Sequence, residues 1–292
     1  MKELNLNSNQ DTSLTQITTQ KFDDISKNLT QTWPQSEGHD ILASISRFNQ
    51  IMLPHGVSEI PHAICVPRYS TYSPWKVPGF YEDVLKEINP PYYQSSWTER
   101  EGKTLVDIYR VYGLYQALLG TENLPGECIE IGVYKGGTAA FIGNVIKQQN
   151  SSSHLYVADT FKGVVNANEE FDTCYVGGEH SDTTIEGVRN LLNKFTRDSG
   201  YTILQGIFPE SAPDYFKDLQ IRFAHIDVDV YQGSIESYEY LYPLMPSGAI
   251  AIFDDFATQG IEGVTRAVHY IQKKYDVSVY HMFNGQAMVI KL

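Results

Sequence analysis

The stretch VSVYHMFNGQAMVIKL, Val277 to Leu292, decides how the rest of the chain is read. Two runs of alternating apolar character flank Asn284-Gly285, a dipeptide that favours a short turn between antiparallel strands. VSVYHMF (Val277–Phe283) and QAMVIKL (Gln286–Leu292) are therefore expected as a closing hairpin. A hairpin forces an antiparallel strand into whatever sheet it joins.

Toward the N-terminus the pattern changes to apolar strands alternating with helices. ECIEIGV (Glu127–Val133) is a short strand, and the helix after it begins at the glycines of GGTAAFIGNVIKQQ. HLYVAD (His154–Asp159) follows, then a loop and a helix from about Thr183 to Phe195 with Ser181 or Asp182 as its cap. YTILQG and IRFAHIDVD are the third and fourth strands, SIESYEYLYPLM a helix, GAIAIFDD the fifth strand and EGVTRAVHYIQKKY a helix. Such alternation implies a largely parallel sheet covered on both faces. The expected fold is a three-layer, Rossmann-like α/β sandwich of seven strands that ends in the antiparallel hairpin.

This domain is expected over residues 104–292, entered through TLVDIYRVYGLYQALLG (Thr104–Gly120), which has helical periodicity. Residues 1–32 are rich in Asn, Gln, Ser and Thr and are expected to be a mobile segment. Residues 33–103 read as a cap or lid, or as a surface for a partner subunit. Pro67, Pro74, Pro78, Pro90 and Pro91 forbid long regular elements there, and the many aromatic side chains would be wasted in a solvated linker.

Composition narrows the partners. The formal net charge of -13 repels phosphate backbones and anionic lipid, so neither nucleic acid nor membrane is expected. Cys65, Cys128 and Cys174 form no CxxC pair, and the polar N-terminus lacks the apolar core of a signal peptide. A cytoplasmic location is expected.

The chemistry gathers at strand ends. Gly132, Gly136 and Gly137 follow the first strand, where backbone can approach a ligand closely. The spacing is not the GxGxxG of a dinucleotide site, and Glu130 is a poor neighbour for a pyrophosphate but suits an ammonium or sulfonium. Asp159 ends the second strand, where a carboxylate can accept bonds from ribose hydroxyls. Asp227 and Asp229 end the fourth strand, and Asp254 and Asp255 the fifth. If those strands are neighbours, their ends lie about 5 Å apart. Carboxylates crowded so closely repel one another unless protonated or bridged by a cation such as Mg²⁺. An Asp pair capping a helix explains one of these clusters, but not easily both. The expected ligands of the metal are Asp227, Asp254 and Asp255, with Asp229 as the base; alternation keeps Asp227 and Asp229 on one face without saying which does which, and His225 on the same face is the runner-up base. His180 could reach the site from its loop, and Lys135 could aid substrate binding or point to water.

The set EIGVYKGG, ADTF (Ala158–Phe161), LQGIFPESAP (Leu204–Pro213), HIDVDVYQGS and FDDF resembles the macrocin O-methyltransferase family over about Thr104 to the C-terminal end. The seven strands with a closing hairpin match the class I methyltransferase arrangement. The resemblance implies Mg²⁺-dependent transfer from S-adenosylmethionine to a hydroxyl of a sugar or other polyhydroxylated small molecule. It also implies self-association into a homo-oligomer. Glu130 and Gly132 match the loop at the methionine end of the cofactor, Asp159 the ribose-binding acid and Thr104 a threonine near the cofactor. The chain departs from the family at Val228, where a glycine is common, and at Gln232-Gly233, where Glu-Ser is common. A catechol or phenolic O-methyltransferase would use the same metal logic, and a noncatalytic protein could keep the cofactor fold. Four carboxylates at adjacent strand ends would be costly to maintain in the latter without a ligand.

Overall fold

A computed structural model describes residues 81–91, 101–258 and 260–292. The segment expected to be mobile and most of the aromatic cap lie outside the described residues. A short helix α1 (Glu82–Ile88) precedes α2 (Ile108–Gly120). The main body then runs β1 (Glu127–Ile131), α3 (Gly137–Gln148), β2 (Leu155–Asp159), α4 (Ile185–Phe195) and β3 (Tyr201–Gln205). It continues with β4 (Ile221–Ile226), α5 (Tyr231–Leu241), β5 (Ile250–Phe253), α6 (Glu262–Lys274), β6 (Val277–His281) and β7 (Ala287–Lys291). No helix among the described residues is long and apolar enough to cross a membrane.

The seven strands form one sheet in the order β3-β2-β1-β4-β5-β7-β6. β1 to β5 pair in parallel, and β7 runs antiparallel to both β5 and β6. Alternation along the strands divides the core into two layers. Cys128, Val157, Phe223 and Ile252 pack toward α1–α4. Ile129, Ala158, Ala224 and Phe253 pack toward α5 and α6. Strand order reverses at β1 and β4, so the connections leaving their carboxyl ends diverge and open a crevice there.

Several boundaries differ from the sequence pattern, each for a local reason. α2 starts at Ile108 rather than Thr104, because the Asp107 carboxylate accepts the Tyr109 and Arg110 amides and fixes the first turn. β4 stops at Ile226, and Asp229 turns into left-handed backbone at φ 66. Alternation therefore does not extend to Asp229. The hairpin has a three-residue loop, Phe283 to Gly285: Met282 N–H donates to Gln286 and Gly285 N–H to Met282. Gly285 supplies the left-handed residue at φ 88.

Thr184, rather than Ser181 or Asp182, caps α4 by accepting the Gly187 amide. Thr184→Ala is expected to cost about 1 kcal/mol. The cost would be read as a lower denaturant midpoint at constant slope, and an unmoved midpoint would show that the cap contributes nothing.

Candidate active site

The lip of the crevice is built from glycines that the fold itself requires. Gly132 sits at φ 82, and a Cβ there would lie 1.8 Å from the Asp227 carbonyl oxygen. Only glycine lets the exits of β1 and β4 come this close. Gly137 donates to the Lys103 carbonyl at 2.9 Å, which lays buried Thr104 against the start of α3. Asp159 ties the lip to β2: one oxygen accepts the Val133 and Tyr134 amides at 2.7 and 3.1 Å, the other the Phe161 amide at 2.6 Å. A carboxylate has about four acceptor directions. Three are taken by backbone, which leaves about one for a further partner.

Glu130, His225 and Ile252 lie side by side in register on β1, β4 and β5. Two of these neighbours are ionisable and fully buried. Glu130 Oε1 meets His225 Nδ1 at 2.7 Å, while Glu130 Oε2 has no hydrogen-bond partner among the described residues. A buried acceptor left open beside a glycine lip fits the cationic end of a ligand such as S-adenosylmethionine.

β4 and β5 are neighbours, and Ile226 pairs with Phe253, so Asp227 and Asp254 leave the sheet side by side. Asp229 and Asp255 then adopt left-handed backbone, φ 66 and 56, which turns the chain sharply beyond each strand end. Such conformations cost of order 1–3 kcal/mol and cluster at functional sites. The ligand oxygens of Asp227, Asp229 and Asp255 all lie within 4.8 Å of one another, and His225, Asp227 and Asp254 form a second such group. Asp254 is engaged elsewhere as well. One oxygen accepts from Arg110 Nη1, and the other accepts from Gln286 Nε2 at 2.6 Å.

The electrostatics follow from this placement. Burial and then Asp254 push Asp227 well above the usual carboxylate range. Burial, Asp227 and Asp255 do the same to Asp229, and burial and Asp254 raise Asp255. Burial opposes ionisation of Asp254 too, but Arg110 and His225 hold it low. The four carboxylates thus resist being ionised together beside only Arg110 and His225 as partners that offset their charge. Hard, convergent oxygens short of positive charge are the donor set a Mg²⁺ ion fits.

Three residues of the site were not singled out in the sequence. Arg110 and Gln286 reach Asp254 from 144 and 32 residues away. Tyr175 packs its hydroxyl against Asp229, and burial followed by Asp229 and Asp255 raises its pKa far above the ordinary value. Tyr175 belongs to the long connection between β2 and α4. That connection is pinned at several points. Buried Asp172 accepts the Tyr231 amide at the start of α5 and nearly touches Gly263 in the first turn of α6. Gly263 donates to Phe171 and Cys174 to Gly260, both at 3.0 Å. His180 lies edge-on between Tyr134 and Tyr175, and Lys135 pairs with Asp182 at 2.8 Å.

Comparison with known proteins adds to this geometry. The sequence model of the family described as Macrocin-O-methyltransferase (TylF) matches residues 96–280. The 8-demethyl-8-(2,3-dimethoxy-alpha-L-rhamnosyl)-tetracenomycin-C 4'-O-methyltransferase of Streptomyces olivaceus is 25% identical over 165 residues, spanning 54% of this chain and 62% of that protein. The chain thus matches less than two thirds of that relative's length. The demethyldecarbamoylnovobiocin O-methyltransferase of Streptomyces niveus is 25% identical over 199 residues, 60% of this chain and 74% of that one. Among solved structures, the O-methyltransferase NovP superposes with a TM-score of 0.57 at 21% identity, covering 72% of this chain and 88% of its own. That likeness is one of fold.

Proposed function

Because the chain belongs to the macrocin O-methyltransferase family, we propose that it methylates a hydroxyl of a sugar or other polyhydroxylated small natural product. S-adenosylmethionine is the donor in this reading and Mg²⁺ assists. The observation that carries it is the convergence of Asp227, Asp229 and Asp255 beside the glycine lip at the β1–β4 switch. The relatives support the acceptor class, since the Streptomyces olivaceus protein is named for a rhamnosyl-bearing substrate.

Thr104, Glu130, Gly132 and Asp159 would hold the cofactor, and Asp227, Asp254 and Asp255 the ion; Asp254 groups with His225 and Asp227 rather than with the convergent trio. When bound, S-adenosylmethionine supplies an electrophilic methyl on a sulfonium, and Mg²⁺ makes a substrate hydroxyl more acidic. The remaining work belongs to the chain. Glu130 offers a buried, unpartnered carboxyl oxygen near the lip, and Asp159 keeps the lip at a fixed distance from β2. Asp229 takes the hydroxyl proton at its carboxylate. His225 is the poorer base: burial pushes its pKa down, but Asp254 and Glu130 outweigh this and hold it at about 10. The same reading takes the protein as a cytoplasmic homo-oligomer, and the net charge of -13 supports the absence of nucleic-acid and membrane partners.

Calorimetric titration of S-adenosylmethionine into chelator-stripped protein tests the reading, repeated with Mg²⁺ and a candidate sugar acceptor. Saturable cofactor binding is expected, with acceptor affinity appearing only when metal is present. No cofactor binding by folded protein under any of these conditions would favour a noncatalytic role.

A further inference from the structure

We propose that Arg110 is the resident counter-cation of the carboxylate cluster, competing with the divalent ion and setting how tightly that ion binds. The inference rests on the metal reading above and concerns a residue to which that reading gives no part. Arg110 leaves the first turn of α2 and spends its whole fork on this region. Nη1 donates to Asp254 Oδ2 and, at 3.3 Å, to Asp255 Oδ1. Nε donates to Asp107 Oδ2 at 3.1 Å and Nη2 to the Leu105 carbonyl at 3.2 Å. Asp107 is also the cap of α2, so the start of that helix fixes the direction in which the guanidinium points. The side chain is 16% exposed and is held from both ends.

Two of the three expected ion ligands, Asp254 and Asp255, thus already share one guanidinium nitrogen. An ion that uses their oxygens must arrive beside a fixed positive charge, and the two repel. The arginine gives Asp254 and Asp255 a counter-charge when no ion is bound, and it weakens the ion's hold when one is. Loss of the charge therefore tightens ion binding, while a lysine that keeps the charge leaves the affinity near that of wild type.

The test is a Mn²⁺ titration of the chelator-stripped full chain, read by electron paramagnetic resonance for wild type, Arg110→Met and Arg110→Lys. Arg110→Met is expected to lower Kd by on the order of tenfold, and Arg110→Lys to stay within about threefold of wild type. Equal or weaker binding by Arg110→Met overturns the proposal, because the arginine would then be positioning ligands rather than competing. If Arg110→Met is unfolded without metal, recovery of its circular dichroism on adding Mn²⁺ supports the proposal and failure to recover overturns it. A wild-type chain that binds no Mn²⁺ would sink the metal reading and this inference together.

Discussion

Asp229→Asn is expected to lower turnover by roughly 10²- to 10⁴-fold, the range typical of losing a general base. Its affinities for S-adenosylmethionine and Mn²⁺ should stay close to wild type. The substitution is a clean probe because asparagine tolerates left-handed backbone about as well as aspartate does. The φ of 66 at this position therefore adds no new strain. The carboxamide oxygen can still accept from Tyr175, but it has no basicity with which to hold a proton. Asp229 also belongs to the convergent oxygen trio, so turnover and metal affinity must be measured side by side. A parallel fall in both would make Asp229 an ion ligand and move the base elsewhere. Retained turnover would remove the base assignment altogether.

Gly132→Ala is expected to be the most damaging single methyl that can be added near the site. The new Cβ would lie 1.8 Å from the Asp227 carbonyl oxygen, and the obstacle is backbone, which cannot swing aside. Left-handed strain adds about 1–2 kcal/mol for a residue with a Cβ. With the clash, destabilisation of roughly 3 kcal/mol or more is expected, in the range reserved for core overpacking and backbone strain. Asp227 N–H bonds to the Ile131 carbonyl at 2.8 Å beside the obstruction, so spreading the strands displaces Asp227 as well. Stability, Mn²⁺ affinity and turnover should fall together. Gly285→Ala is the control: its φ is 88 but nothing lies within 4 Å of the added carbon. Strain alone should then cost about 1–2 kcal/mol. A folded Gly132→Ala protein with normal Mn²⁺ affinity would show that the close approach is dispensable.

Much of the fold was legible because buried parallel strands write themselves as short apolar runs. β1, β2, β4 and β5 are such runs, and the antiparallel pairing of β7 followed from Asn284-Gly285. The carboxylates were legible for the same reason, since each pair sits where an apolar run stops. The reading weakened where geometry departs from period two. Asp227 and Asp229 were grouped by alternation, yet the strand ends before either of them, and a left-handed turn accompanies their meeting. Arg110 carried no signal. A basic residue at a helix start looks like a solvated face until the fold brings a strand end from 144 residues away against it. Tyr175 lay in a polar connection with no periodicity to read. Asp159 shows a further limit, because its position announced a carboxylate but not that three backbone amides already claim it.

The anchoring of the β2–α4 connection by Asp172 has a consequence for how acceptors are chosen. The Asp172 carboxylate fastens that segment to the beginning of α5, and its neighbours Phe171 and Cys174 add main-chain bonds to Gly263 and Gly260 near the start of α6. The conformational entropy of this wall is lost on folding, before any acceptor arrives, so little of the binding energy is diverted to ordering it. In the proposed reaction, discrimination would then rest on the shape and polarity of side chains this segment already presents, such as Tyr175 beside Asp229. On the proposed function, new acceptor ranges would be reached by exchanging those side chains on an unchanged frame. Lengthening the connection would instead loosen the Tyr231 and Gly263 anchorages and surrender the preorganisation on which the selection depends.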